Sequence, residues 1–156
     1  MSDVVNLFDV VLEADEADPD GYRARAARVG PLLGASALGL SVYELPSGQS
    51  ICPYHYEYPE EEWLIVLEGR PTLRDPAGEH ELDAWDAVCF PAGPAGAHKV
   101  TNRTEERVLV AMLSTKHPTA VAVYPDSDKV GAWSGDGEVR HLFRRADAVD
   151  YYDGEV

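Results

Sequence analysis

The sequence is poor in basic residues and in cysteine. Its 156 residues include 13 lysines and arginines against 28 aspartates and glutamates, so the formal net charge is −15. A surface with this charge repels nucleic acid and anionic membranes, and we expect neither as a partner. The two cysteines, Cys52 and Cys89, are too few for a disulfide framework.

Long apolar runs and targeting signals are also lacking. No apolar stretch approaches the length of a membrane span, and the first residues do not have the basic and apolar regions of a signal peptide. We therefore expect a cytoplasmic protein whose thiols are reduced. No helix-turn-helix, glycine-rich phosphate loop or internal repeat is present in the sequence. The apolar fraction of 45% and the length predict one globular domain with its own core.

Short apolar runs separated by turn residues fill the middle of the chain. Over residues 35–115, runs such as Leu38–Leu45 alternate with glycine and proline turns at regular spacing, which predicts an all-β barrel or sandwich. The preceding segment, residues 1–34, is predicted to be an arm followed by a short helix in the alanine- and arginine-rich residues 22–34, stopped by Gly30 and Pro31. Residues 116–156 are predicted to form an extension packed on the barrel.

One histidine and several carboxylates stand close together in this middle part. His55 and Glu57 are two residues apart, so in an extended strand their side chains leave the same face. A turn at residues 58–61, which contains a proline, separates them from Glu62 at the start of the next strand. If the two strands pair as a hairpin, Glu57 faces Glu62 with His55 beside them. One imidazole and two carboxylates would then converge, which suits a divalent metal ion.

A solvated hairpin tip is the alternative interpretation, and we expect Glu60 and Glu61 to be no more than that. The functional interpretation is favoured by a second segment, residues 90–102 (FPAGPAGAHKVTN), which adds His98 behind a proline- and glycine-rich loop. Together the two segments resemble the two motifs of the cupin superfamily of small β-barrels. Those motifs are G-x5-H-x-H-x3-4-E-x6-G and G-x5-P-x-G-x2-H-x3-N.

The resemblance covers roughly residues 35–115 and rests on residue types and their spacing. The positions that match are His55, Glu62, Gly69, Pro91, Gly93, His98 and Asn102. The departures are one extra residue before His55, two extra residues before His98, Trp85 in place of a glycine, and Glu57 in place of the second histidine.

The resemblance implies a single cupin-type double-stranded β-helix, a jelly-roll barrel, with extensions at both ends. It also implies one divalent metal ion inside the barrel, with the ligands His55, Glu57, Glu62 and His98. Two imidazoles and two carboxylates suit iron, manganese, nickel or zinc. Ligand histidines must be neutral, so we expect the metal to be lost as the pH falls toward and below about 6.5.

Two functions of different classes remain open. The first is a metal-dependent enzyme, either a dioxygenase or an isomerase or lyase, that acts on a small organic molecule. Glu57 or Glu62 would then loosen from the metal to act as the general base. The second is a non-catalytic cupin that binds a small ligand or keeps its metal as a structural element, because the fold alone does not decide the function.

Other residues have simpler expected roles. Cys52 lies three residues before His55, so strand alternation predicts that its thiol points to the opposite face. By resemblance, Asn102 is expected to hold a turn. The apolar segment at residues 4–11 has no obvious place inside one barrel, and with the resemblance it predicts a homodimer.

Overall fold

A computed structural model describes residues 3–155, and strands dominate it. The helical segments among these residues are single 3₁₀ turns, and none is long and apolar enough to cross a membrane. The all-β prediction is therefore confirmed. The strands are β1 (Glu13–Ala14), β2 (Arg25–Arg28), β3 (Leu38–Leu45), β4 (Tyr56–Tyr58), β5 (Glu62–Glu68), β6 (Thr72–Asp75), β7 (Gly78–Glu81), β8 (Ala87–Phe90), β9 (Lys99–Thr101), β10 (Val108–Thr115), β11 (Thr119–Tyr124), β12 (Lys129–Ser134) and β13 (Arg140–Arg144).

The largest sheet has six antiparallel strands in the order β1-β2-β3-β10-β5-β8. The strand β10 lies inside this sheet and is apolar on both faces, because both faces are covered. Val108 and Val110 belong to the interior core, whereas Leu109 and Ala111 belong to a cluster on the outer face. A strand buried on both sides has this continuous apolar pattern rather than alternation.

Two smaller sheets complete the fold, with the orders β13-β12-β11-β4 and β7-β6-β9. Side chains of β6 and β9 pack with those of the six-stranded sheet in one core, as in a jelly-roll barrel. The strand β11 pairs with β4, so part of the predicted C-terminal extension belongs to the same sheet as Glu57. The fully buried residues of the interior core include Leu45, Leu64, Val66, Val100, Val108 and Val110.

The N-terminal arm covers part of the outer face of the six-stranded sheet. Its residues Val5, Leu7, Val10 and Leu12 pack against a buried cluster. That cluster consists of Val29, Val42, Leu67, Leu109 and Ala111. Residues 4–11, which were expected at a dimer contact, contain six apolar side chains, and three of them therefore pack on the chain's own sheet. Val4, Phe8 and Val11 remain exposed.

The short helix predicted within residues 22–34, before Gly30 and Pro31, is wrong. Arg25–Arg28 is the strand β2, which pairs with β3 from Arg25 opposite Glu44 to Arg28 opposite Ser41. The turn that follows leaves too few residues for a helix to be stable on its own. The neighbouring strand supplies backbone partners and buries Ala27, so tertiary pairing overrides the local propensity.

The predicted hairpin between β4 and β5 is also wrong. Glu57 on β4 lies opposite Ala122 of β11, whereas β5 pairs with β10 and β8. Residues 59–61 therefore carry the chain from one sheet to another. Glu57 and Glu62 face each other across the interior rather than along a ladder of backbone hydrogen bonds.

Two motif residues hold turns at the ends of strands. Gly69 follows β5 with φ +82, and a Cβ there would lie 2.3 Å from the carbonyl oxygen of Arg107. Asn102 is fully buried, and its side-chain amide donates to the carbonyl oxygens of Leu45 and Glu106, each at 2.8 Å. The structural role expected for Asn102 is confirmed.

Candidate metal centre

His55 and His98 face each other and are joined through their backbones. The His55 amide donates to the His98 carbonyl oxygen at 3.1 Å, and the His98 amide donates to the His55 carbonyl oxygen at 2.8 Å. Both residues are buried, at 7% and 2% exposure. The ring Nδ1 atoms lie 3.0 Å from the Pro53 carbonyl oxygen and 2.9 Å from the Gly96 carbonyl oxygen. An Nδ1–H donated to each carbonyl leaves Nε2 as a free lone pair, which is the form that binds a metal.

Glu62 completes a group of three possible ligands. Its Oε2 lies 3.8 Å from His55 Nε2 and 3.6 Å from His98 Nε2. With ligand bonds of about 2.1 Å, two ligands of one ion stand at most about 4.2 Å apart, so both separations fit a shared ion. One ligand atom from each of these three residues lies within 4.8 Å of the others.

Glu57 lies at the edge of this group. Its Oε1 is 3.8 Å from His55 Nε2, but it does not belong to the set whose atoms all lie within 4.8 Å. Its side chain is 25% exposed, more than that of Glu62 at 17%. The four predicted ligands are thus brought into one region, with three in a tight group and Glu57 on the more open side.

The carboxylates of this region have raised pKa values. Burial is the largest cause that raises the pKa of Glu62 to about 8, and repulsion from Glu57 and Glu60 adds to it. Burial, followed by repulsion from Glu60, raises the pKa of Glu57 to about 7. No lysine or arginine of the described residues pairs with Glu57 or Glu62, and a bound dication would favour the ionised forms of both.

The imidazoles show the opposite shift. Burial is the largest cause that lowers the pKa of His98 to about 4, and the neighbouring His55 ring adds to it. Burial also lowers the pKa of His55, against hydrogen bonds to the backbone of Pro53 and His98 that raise it. Both rings are neutral at physiological pH, as metal ligands must be.

These residues fit a divalent metal ion on the chemistry of the protein alone. His98 Nε2 is buried and has no hydrogen-bond partner within residues 3–155, which is costly unless something binds there. Imidazole nitrogens with carboxylate oxygens form a donor set suited to iron, manganese, nickel or zinc. His55, Glu62 and His98 could hold the ion, with Glu57 as a further ligand.

Aromatic rings and a thiol surround the histidines. The Phe90 ring stacks on His98 with centroids 3.8 Å apart, and Tyr124 stacks on His55 at 5.8 Å. Cys52 Sγ lies 3.5 Å from His55 Nδ1, so the prediction that this thiol points away is wrong. Residues 51–54 form bends rather than a strand, and strand alternation does not apply to them. Burial, and to a smaller extent the nearby carboxylates, raises the pKa of the Cys52 thiol strongly, so the thiol stays protonated.

A cavity of about 550 Å³ opens beside Glu57, between the ends of β4 and β10. We call it the mouth cavity, and its lining includes Ser36, Glu57, Glu60, Ser114, Lys116 and His117. The expectation that Glu60 is a solvated tip residue is wrong, because it is only 8% exposed and its Oε2 has no hydrogen-bond partner within the described chain. Sequence reasoning missed this lining, because Ser36, Ser114 and Lys116 lie outside both motifs.

Comparisons with known proteins agree with this geometry. The model of the cupin domain family matches residues 41–114, which include all four predicted ligands. A solved sugar phosphate isomerase of the cupin superfamily from Silicibacter pomeroyi is 25% identical, with a TM-score of 0.82 over 97% of this chain and 98% of that chain. No curated protein sequence is significantly similar to the chain.

Two further solved structures extend the similarity. A protein from Acidithiobacillus ferrooxidans, provisionally named a sugar phosphate isomerase, is 25% identical, with a TM-score of 0.76 over 83% of this chain and 81% of that chain. The polyketide cyclase RemF from Streptomyces resistomycificus is 22% identical, with a TM-score of 0.61 over 74% of this chain and 80% of that chain. The latter identity supports the fold alone.

Proposed function

Since this chain belongs to the cupin superfamily, we propose that it is a metal-dependent isomerase that acts on a small sugar-like molecule. The observation that carries the proposal is the convergence of His55, Glu62 and His98 beside a cavity that Glu57 lines. The likeness to solved sugar phosphate isomerases over nearly the whole chain supports the reaction class. A dioxygenase, the other enzyme class expected from the sequence, has no comparable support.

A divalent ion bound at this site would act as a Lewis acid toward the oxygens of a substrate. His55 and His98 hold their Nε2 lone pairs toward it, fixed by the carbonyl oxygens that accept from Nδ1. Phe90 and Tyr124 stack on the two rings and keep their orientation. These residues supply a rigid set of donors, as catalytic metal sites need.

Glu57 is the predicted ligand that lines the mouth cavity. An aldose–ketose isomerisation moves a proton from the carbon beside the carbonyl to the former carbonyl carbon, and the hydroxyl proton of that neighbouring carbon to the former carbonyl oxygen, so it needs no oxidant. An ionised carboxylate on the open side of the site is suited to accept and return that proton. We assign Glu57 as the ligand that loosens from the metal to act as the general base, with Glu62 as a ligand and the second candidate base.

Elemental analysis of protein purified without a metal-affinity tag tests the metal site. We expect about one divalent ion per chain in the parent and a large loss in His98→Ala. His80→Ala is the matched control, because His80 is half-exposed and lies on β7, away from the site. Equal metal content in His98→Ala and the parent would rule the assignment out.

Proton NMR tests the reaction on aldoses with four, five and six carbons, each with and without a terminal phosphate. We expect the metal-loaded parent to convert at least one of them to a ketose, and Glu57→Gln, measured at a saturating metal concentration, to lose the conversion. A metal-loaded parent that converts none of them would contradict the proposed isomerase. It would favour the alternative of a small-ligand-binding cupin with a structural metal.

We further propose that the chain is a cytoplasmic homodimer. The cysteines Cys52 and Cys89 are both free, which supports a reducing compartment. Exposed apolar residues on the arm and on β13, such as Phe8, Leu142 and Phe143, support a contact with a second copy.

A further inference from the structure

One lysine stands apart in the mouth cavity. Lys116 follows β10 directly, lines the same cavity as Glu57, and is exposed. It forms no ion pair with any carboxylate of residues 3–155. In a chain with a net charge of −15, a cation without a carboxylate partner in a cavity is a position for an anionic ligand.

The backbone around Lys116 is fixed, and its side chain lies beside a hydroxyl group. The Lys116 amide donates to the Ala37 carbonyl oxygen at 2.9 Å, and the Thr115 amide donates to the Glu61 carbonyl oxygen at 3.0 Å. A Cβ added at Gly39 would lie 2.8 Å from Ser114 Oγ and 3.4 Å from Lys116 Cε. Both side chains therefore meet over Gly39, where the missing side chain leaves room for them.

The charges of the cavity are unevenly placed. Glu57 and Glu60 line the cavity and repel an anion, and His117 interacts with Glu60. Lys116 and Ser114 lie together beside Gly39, and Ser36 also belongs to the lining. An ammonium group with hydroxyl donors matches the oxygens of a phosphate. A cavity of about 550 Å³ is large enough for a sugar phosphate to reach from Lys116 to Glu57.

We propose that Lys116, with the hydroxyls of Ser114 and Ser36, binds the phosphate group of a sugar phosphate substrate. This inference rests on the proposed isomerase function and adds the class of substrate and the end by which it is held. The phosphate at Lys116 keeps the anionic end away from the carboxylates, and the carbonyl end reaches Glu57. Lys116 is thus a specificity residue that takes no part in the proton transfer.

A second basic cavity serves as a control. It has a volume of about 340 Å³, and its lining includes Arg74, Lys99 and Arg103 but none of the predicted ligands. Arg74 is paired with Asp126 and Arg103 with Glu79, while Lys99 lies on the Tyr22 ring and 3.4 Å from its hydroxyl. Lys99 is therefore another lysine without a carboxylate partner, and Lys99→Met is a matched variant for Lys116→Met.

Isothermal titration of the manganese-loaded full-length chain tests the proposal. The probes are aldonic acids with four, five and six carbons, each with and without a terminal phosphate. We expect the phosphorylated acid of the best-binding pair to bind at least about tenfold more tightly than its partner. In Lys116→Met we expect the affinities of the phosphorylated and unphosphorylated acids to differ by no more than about twofold. The unphosphorylated acids should bind as they do to the parent. Lys99→Met keeps the ratio of the parent.

Gly39→Ala provides a second variant that keeps the lysine. Its Cβ would displace Ser114 Oγ and Lys116 Cε, so we expect the ratio to fall here too, with unchanged metal content. A parent ratio that survives in Lys116→Met, or that disappears in Lys99→Met, would overturn the subsite and leave the isomerase proposal standing. Equal binding within every pair by the parent would do the same. Failure of all six acids to bind would overturn both proposals.

Discussion

At the scale of single residues, the site differs from the usual cupin set by one charge. Glu57 replaces the second motif histidine, so a dication bound with Glu57 and Glu62 is neutral overall, whereas a three-histidine, one-glutamate set leaves a positive centre. A less positive centre is a weaker Lewis acid and acidifies a bound water less. The same replacement places a carboxylate on the cavity side, where a base is useful.

Metal titrations of Glu57 variants separate a ligand from a bystander. We expect Glu57→Ala to weaken metal binding by at least about tenfold, since a ligand is removed and nothing replaces it. Glu57→His restores the commoner donor set and should stay within about threefold of the parent. Glu61→Ala is the control, because it removes the same charge from an exposed side chain that bonds the Trp63 indole. An affinity of Glu57→Ala within about threefold of the parent would show that Glu57 is not a ligand.

Metal affinity should rise with pH through the range in which the carboxylates titrate. In the metal-free chain the pKa values of Glu57 and Glu62 are about 7 and 8, so at lower pH a metal must displace their protons. We expect a rise of about tenfold per pH unit for each displaced proton between pH 5 and 7, and a plateau above about 8. Competition titrations with a chelator measure this. An affinity that changes only near pH 4, where His98 titrates, would contradict it.

The carboxylates also determine how metal binding changes stability with pH. Their pKa values are raised above the ordinary 4.5 in the folded chain, so their contribution to the stability of the metal-free protein is lost as the pH rises through 7 and 8. A bound dication favours the ionised carboxylates and reverses this loss. Added metal should therefore raise the Tm more at pH 8 than at pH 5. From the sequence alone, the histidines were expected to control the pH dependence of metal binding. The structure shifts this to the carboxylates, because burial raises their pKa values and lowers those of the histidines.

At the scale of elements, motif spacing predicted the site better than it predicted the pairing of strands. His55, Glu62 and His98 do converge, but across the interior between different sheets and not along a hairpin. The spacing of residues predicts which side chains share a face of a strand, but not which strand lies beside it. The partner of β4 is β11, which lies more than sixty residues further along the chain. The strand β2 was missed for the same reason, since Arg25–Arg28 is extended only because β3 lies beside it.

Trp85 occupies a backbone position that favours glycine. Its φ is 76°, and its side chain is 73% exposed, so the residue bears the cost of a left-handed conformation with little packing in return. We expect Trp85→Gly to stabilise the protein by about 1 kcal/mol, or a few degrees in Tm, because glycine adopts this φ without strain. Trp85→Ala removes the ring but keeps Cβ, and it should give no such gain. Equal shifts in the two variants would mean that the indole, not the backbone, matters.

At the scale of the whole molecule, the N-terminal arm belongs to the fold. Val5, Leu7, Val10 and Leu12 lie on the outer cluster of the six-stranded sheet, and without them Leu109 and Ala111 lose their cover. The apolar composition of the arm was evident from the sequence, but the surface that it covers depends on the twist and order of six strands. Its exposed members, Val4, Phe8 and Val11, remain available for a second copy.

Removing residues 1–12 should destabilise the protein by several kcal/mol. Four apolar side chains leave the sheet, and each is worth roughly 1.5–3 kcal/mol when fully buried. These four are only partly buried, so the loss is smaller than the full sum. Urea unfolding measures the loss, and a chain without residues 1–4 is the control because Val4 is 91% exposed. Equal stability of the two truncated chains would contradict the role of the arm.

Sedimentation equilibrium tests the homodimer at micromolar concentration. We expect a dimer for the full chain and a weaker one for Phe8→Ser, which removes an exposed apolar side chain from the arm. Thr104→Ala, which lies in the Asn102 turn and not on the arm, serves as the unrelated control. A full-length chain that sediments as a monomer would end this proposal.

The paired backbones of His55 and His98 link metal binding to amide exchange. Each residue's amide donates to the other's carbonyl oxygen, so the two backbones cannot separate without breaking both bonds. The two amide protons therefore exchange with solvent through one shared local opening. An ion bound by both rings would oppose that opening, so added metal should slow the exchange of both protons together. Two backbone protons thus report the binding of an ion that neither of them touches.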